Sequence, residues 1–271
     1  MTQHGTPDAG GAGRTPAAPS RWRTRRPLPP ALLFCVLVVY PLTVLLFRMR
    51  IRHAERFPRT GPVLVVANHV SVLDPLACAR LVWECGRVPH FLAKEAVFAG
   101  PAGRLLRAAG QIPVARGSAD ARASLAAAEA DLAAGNVVVI YPEGSVTRDP
   151  DWWPMEARTG VARLALATDA VVLPVAQWGP QRVHDYHTKR LHPQLRAPAD
   201  HLVGEPVDLT DLRADVRAGR PMTGDLLRQV TDRVMTRVRD QLAELRGEPA
   251  PPTTTPHPRR VLPGDLPGSP A

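Results

Sequence analysis

The sequence predicts an α/β fold: a mixed, largely parallel sheet flanked by helices, behind an N-terminal membrane-anchoring helix or helical hairpin. Three observations carry that reading. From residue 60 onward, short β-branched runs alternate with helical stretches, the pattern of strands joined by helical crossovers. The runs at 63, 137 and 171 are apolar throughout, as strands covered on both faces must be. Ala31–Phe47 is a charge-free run between the basic clusters Arg21–Arg26 and Arg48–Arg52.

Residues 1–30 are rich in Gly, Pro, Ala and Arg and read as a disordered basic tail. Residues 31–52 read as the membrane anchor. The charge-free run sits at the short limit for crossing a bilayer, and Pro41 inside it favours a break into two short helices lying in one leaflet. A signal peptide is disfavoured, because the leader before the run is long and no small-residue cleavage site follows it. Five arginines lie on each side of the run within residues 1–60, so the positive-inside rule gives no orientation.

The folded domain then spans 53–247. Its expected strands are Val63–Ala67, Pro89–Ala93, Ile112–Ala115, Val137–Tyr141, Val171–Ala176 and Leu202–Val207. The expected helices are Pro75–Glu84, Gly103–Ala109, Ala119–Ala134, Thr159–Ala167 and Asp225–Leu245. In the last helix, Leu226, Leu227, Val230, Val234, Val238 and Leu242 recur at steps of mostly three and four, a stripe for packing on a sheet. Residues 248–271 carry eight prolines and read as a second disordered tail.

Composition narrows the function. With 45% hydrophobic and 22% charged residues in 271, the chain is globular, not collagen-like or fully disordered. Three cysteines give no disulfide framework and match no metal spacing, so a cytoplasm-facing environment follows. Of the +9 net charge, the first sixty residues hold ten arginines against two acids. The remainder is nearly neutral, which argues against a folded body that binds nucleic acid. His184, His187 and His192 lie near one another, but their irregular spacing does not suggest a metal site. No cofactor is called for. Trp152 and Trp153 follow Asp149-Pro150-Asp151 and read marginally as lipid-facing.

Three motifs follow predicted strands, where α/β sites gather. Asn68-His69-Val70-Ser71-Val72-Leu73-Asp74-Pro75 places a histidine five residues before an aspartate, too far for one helix face. The two meet if His69 lies in the strand-to-helix turn and Asp74, followed by Pro75, begins the helix. A carboxylate so placed orients the imidazole and stabilises its protonated form, giving a general base without a nucleophile. The blander alternative makes Asp74 a helix N-cap. Gly110-Gln111-Ile112-Pro113-Val114-Ala115-Arg116 ends on an arginine suited to gripping phosphate. Tyr141-Pro142-Glu143-Gly144-Ser145 offers a close backbone approach at Gly144 and a hydroxyl at Ser145.

With Val172-Leu173-Pro174-Val175, these motifs resemble the four ordered blocks of the glycerolipid acyltransferases, most closely the bacterial 1-acyl-sn-glycerol-3-phosphate type, over about residues 50–210. The resemblance implies transfer of a fatty acyl group from acyl-CoA or acyl-carrier protein to the 2-hydroxyl of lysophosphatidic acid, forming phosphatidic acid at the cytoplasmic face of the plasma membrane. It implies His69 as general base, Asp74 as its partner and Arg116 as a phosphate ligand. Asn68, Ser71, Glu143, Gly144 and Ser145 would shape the acceptor site, and Pro174 the pocket wall. The family's third block commonly continues with an arginine where this chain has Val146. Arg148 and Arg158 are the basic residues nearest to replacing it. Three rivals remain in view: an acyltransferase for another glycerophosphate or lysolipid, a lipid hydrolase using Ser145, and a non-catalytic membrane module. The hydrolase is disfavoured by the absence of a G-x-S-x-G elbow.

Overall fold

The protein, a computed structural model, is described over residues 29–114 and 118–257, with the side chains of 118–121 outside that description. In chain order the described elements are α1 (Pro30–Leu46), β1 (Phe47–Arg52), β2 (Val63–Ala67), α2 (Asp74–Glu84), β3 (Pro89–Lys94), α3 (Gly100–Ala108), β4 (Ile112–Val114), α4 (Ser118–Ala133), β5 (Val137–Ile140), α5 (Gly160–Ala167), β6 (Val171–Trp178), β7 (His184–Asp185), β8 (Arg190–Leu191), β9 (Ala197–Val203), α6 (Thr210–Arg217) and α7 (Gly224–Arg246).

Seven strands form one sheet in the order β1-β9-β6-β2-β5-β3-β4. Every pairing in it is parallel except β6 with β9, so the predicted mixed, largely parallel sheet is present. The apolar run of β2 is explained by its two faces. Leu64 and Val66 pack with α5 and α7 through Val161, Leu164, Val230 and Val234. Val63, Val65 and Ala67 pack with α2 through Cys78, Leu81 and Val82. Helices on both sides leave no strand face for polar residues. Because β2 to β6 run parallel, their carboxyl ends share one edge, and the site lies there.

The N-terminal segment differs from expectation. Pro30–Leu46 is one unbroken helix running through Pro41, so the hairpin is not formed. At 1.5 Å per residue it is shorter than a hydrocarbon core of about 30 Å, and no described helix is long and apolar enough to cross a membrane. Residues 47–52, expected within the anchor, form β1 at the sheet edge, with Phe47 opposite Ala197 and Ile51 opposite His201. The Arg80 guanidinium ties α1 to α2 by donating to the carbonyls of Thr43 and Phe47.

Three further differences have local causes. The last sheet strand covers 197–203 rather than 202–207, ending at Gly204-Glu205-Pro206, although the Val207 N–H still reaches the Val172 carbonyl. Residues 248–257, expected to be disordered, lie against the body. The Thr255 carbonyl accepts the Glu156 N–H at 2.9 Å, and the Thr255 hydroxyl donates to Asp149. Trp153 is buried under the Arg246 guanidinium and Trp152 stacks on His187, so the tryptophan pair packs inward rather than facing lipid.

Candidate active site

Strand β2 ends in Ala67, and the next seven residues turn sharply into α2. The turn is built around the Asp74 carboxylate, fully buried. Its Oδ2 accepts from the backbone N–H groups of Val70 at 2.6 Å and Ser71 at 2.7 Å, and lies 2.9 Å from His69 Nδ1. Asp74 is therefore not an N-cap: it turns back on the residues before the helix and holds the imidazole among them. Burial pushes its carboxyl above the ordinary value, while the imidazole and the two backbone donors pull the other way. With Nδ1 facing the carboxylate, the remaining ring nitrogen Nε2 is left as a proton acceptor.

The third motif supports this turn from beneath. Glu143 is buried, its Oε1 accepting the His69 N–H at 2.8 Å and its Oε2 the Met155 N–H at 2.9 Å. Burial pushes its carboxyl up to about 8 against the pull of those donors. The Tyr141 ring stacks on the His69 imidazole at 4.3 Å between centroids, and the Thr147 N–H donates to the His69 carbonyl at 2.7 Å. Asn68 and Gln177 clip β2 to β6 through three hydrogen bonds of 2.6–3.0 Å. Ser71 donates to the His184 carbonyl at 3.1 Å.

These contacts sort the expected site residues. His69, Gly144 and Ser145 line one cavity of about 730 Å³. Asn68, Ser71 and Glu143 are buried behind it, their side chains engaged with the backbone. Gly144 has φ +71°, and a Cβ there would come within 2.9 Å of Arg158 Nε. Arg148 and Arg158 are exposed and do not line the cavity, nor does Pro174, which is buried in β6. Arg116 lies outside the described residues.

Most of the cavity wall is apolar and comes from three directions. Helix α1 contributes Leu32, Val36 and Val39; α2 contributes Leu76, Ala79 and Trp83; β3 and its sequel contribute Phe91, Val97 and Phe98. Val146, where an arginine was anticipated, is buried and also lines it. Lys94 lines the cavity as well. Sequence reasoning missed it, although its place at the end of a predicted strand was a usable signal. Gln177 was missed too; nothing in the sequence marks its role.

The profile of the Acyltransferase family matches residues 48–178, the stretch that contains His69, Asp74, Glu143, Gly144 and the Pro174 block. That match spans just under half of the chain. It marks residues 48–178 as similar to an acyltransferase domain.

Relatives agree. The 1-acyl-sn-glycerol-3-phosphate acyltransferase alpha of Mus musculus is 29% identical over 145 residues, covering 53% of this chain and 48% of its own. The beta form of Homo sapiens is 28% identical over 130 residues, covering 47% and 45%. The chain thus spans about half the length of these curated relatives. The crystal structure of the 1-acyl-sn-glycerophosphate (LPA) acyltransferase PlsC from Thermotoga maritima shares this chain's fold. Its TM-score is 0.52 at 23% identity, over 74% of this chain and 73% of that one.

Proposed function

We propose that the protein transfers a fatty acyl group from acyl-CoA or acyl-carrier protein to the 2-hydroxyl of 1-acyl-sn-glycerol-3-phosphate, forming phosphatidic acid. One observation carries the reading: a histidine oriented by a buried carboxylate stands in the wall of a large apolar cavity. An imidazole alone suits many reactions; beside a cavity of that volume and apolar lining it suits chemistry on a fatty chain.

In the proposed mechanism His69 Nε2 removes the proton of the acceptor hydroxyl as its oxygen attacks the thioester carbonyl. Asp74 holds the ring and offsets the positive charge that develops on it. Collapse of the tetrahedral intermediate breaks the carbon–sulfur bond, and the imidazolium returns its proton to the departing thiolate. An ester and a free thiol result, with no acyl-enzyme. The apolar wall from α1, α2 and β3 accommodates an acyl chain. Lys94 in the cavity, Arg116 at the sequence position after β4, and exposed Arg148 and Arg158 are the cations available to the acceptor phosphate. Asn68, Ser71 and Glu143 act by positioning.

The enzyme works at a membrane, which we place at the cytoplasmic face of the plasma membrane, where water-soluble thioesters are present. Helix α1 contributes the anchor, residues 47–52 being taken up in β1. The outer face of α1 exposes Leu33, Phe34, Leu37, Val38, Leu42 and Leu45, and the cavity residues Val72 and Val97 are also exposed. Exposed apolar area of this extent marks an interaction surface, and a helix lying in the interface suits its length.

Incubation of the full chain with radiolabelled acyl-CoA and lysophosphatidic acid tests the reading, alongside acceptors lacking the phosphate. Labelled phosphatidic acid is the expected product. Release of free fatty acid alone would favour a hydrolase, and transfer only to a phosphate-free acceptor would replace the assigned substrate.

A further inference from the structure

Apart from Met222, the exposed large apolar side chains of the described residues lie on α1, at Val72 and Val97 in the cavity wall, and at Leu191 and Leu195. The last two belong to neither α1 nor the cavity. They sit in the segment 184–196, which opens with the β7–β8 hairpin.

Both ends of that segment are fastened, one beside the site and the other to α1. At one end the His184 carbonyl accepts from Ser71, the residue before exposed Val72, and Tyr186 enters the cavity wall. At the other, the Arg196 N–H donates to the Leu45 carbonyl at 2.8 Å, on the last turn of α1. Arg196 also shares a shallow depression with Tyr40, Pro41, Val44 and Leu45. The segment thus bridges the cavity side and the end of α1.

Leu191 and Leu195 are 63% and 69% exposed, a costly placement for leucine unless something covers it. The charges around them have one sign. Arg182, Lys189, Arg190 and Arg196 are exposed, whereas the sole acid of residues 182–199 is Asp185, whose Oδ1 accepts the N–H groups of His187 and Thr188. Two exposed leucines in a segment whose exposed charges are Lys and Arg suit an anionic lipid surface, which offers hydrocarbon and negative headgroups together.

We infer that residues 184–196 form a second membrane contact, continuous with α1, with Leu191 and Leu195 entering the headgroup layer and Lys189, Arg190 and Arg196 binding anionic lipid. Two contacts fix the rotation of the enzyme on the bilayer, which a single helix does not. The inference rests on the membrane reading given above.

Vesicle sedimentation with the full chain tests it, using phosphatidylcholine alone or mixed with phosphatidylglycerol. The variant Leu191→Ser/Leu195→Ser is expected to lose at least about tenfold in partitioning on both vesicles, from the apolar area withdrawn. Lys189→Gln/Arg190→Gln/Arg196→Gln is expected to lose roughly fivefold per charge on the phosphatidylglycerol mixture only. Unchanged thermal melting confirms that these surface changes leave the fold intact. Phe34→Ser/Leu37→Ser on α1 separates the two readings. Binding lost in that variant but retained in both segment variants overturns the second contact while leaving the anchor standing. No binding by the unaltered chain overturns both.

Discussion

The carboxyl group of Glu143 accepts the backbone N–H of His69 at 2.8 Å. This bond joins the loop after β5 to the loop after β2, so two motifs seventy-four residues apart hold a single turn. The imidazole is thereby fixed at three places: its backbone by Glu143, its Nδ1 by Asp74 and its ring face by Tyr141.

Removing the imidazole tests the chemistry. His69→Ala is expected to lower acyl transfer by about 10²–10⁴-fold with little change in melting temperature. Asp74→Asn keeps an oxygen for the backbone donors but loses the charge opposite His69, and a comparable loss of kcat is expected. Transfer assays normalised to folded protein decide between this and a purely structural carboxylate. A structural role would show lost stability with near-normal turnover of the surviving enzyme.

Glu143 gives a pH signature. Its carboxyl titrates near 8 when folded against an ordinary value of 4.5, so the folded state binds the proton more tightly. Its contribution to stability is complete below the ordinary value and is lost as pH rises through about 8. Glu143→Gln should flatten the stability profile between those limits. It should also destabilise by about 1–3 kcal/mol, because one amide N–H group faces a backbone N–H. Urea melts across the pH range give both quantities.

His201 works in the opposite direction. The ring is fully buried, and that burial lowers its pKa from 6.5 to about 4 against the weaker opposing pull of Asp200 and the Ala199 backbone. Stability from the neutral ring is full above 6.5 and is lost as pH falls toward 4, on the order of 3 kcal/mol in all. His201→Leu is expected to withstand acid better than the parent chain, read as a shallower fall in urea midpoint over that range.

Gly144 is left-handed at φ +71°. Gly144→Ala should cost about 1 kcal/mol in backbone strain and push aside the Arg158 side chain. If Arg158 contacts the acceptor phosphate, KM for lysophosphatidic acid rises while kcat changes little; steady-state kinetics with acceptors bearing and lacking phosphate report it.

The cavity should act as a ruler for the acyl chain. Ala79→Phe on α2 fills part of it and should shift preference toward shorter chains, measured by competition among acyl-CoA lengths. An unaltered preference would move the chain-binding region elsewhere.

Much of this was legible beforehand. The buried strands β2, β5 and β6 announced themselves because a sheet covered on both faces admits only apolar side chains, and the His69–Asp74 meeting was one of two readings open for a turn ending at Pro75. Other features were hidden for physical reasons. In Phe47-Arg48-Met49-Arg50-Ile51-Arg52 apolar and basic residues alternate with the period of a strand, but the adjoining apolar run made the arginines read as an anchor's flank. Helix α6 buries only Leu212, too little to leave a pattern. The β7–β8 hairpin has two-residue strands, set by contacts distant in sequence. Asn68 and Glu143 looked like ligand-facing groups because composition does not distinguish a polar side chain aimed at substrate from one holding the backbone.

Strand β1 also bears on how the protein is handled. Trimming the chain at residue 53 to rid it of a sticky leader would strip an edge from the sheet and expose β9, the kind of unpaired border that promotes aggregation. It would also open the cavity on the side walled by Leu32, Val36 and Val39. A shorter expression version is better begun ahead of Pro30, with the greasy helix kept and shielded by surfactant.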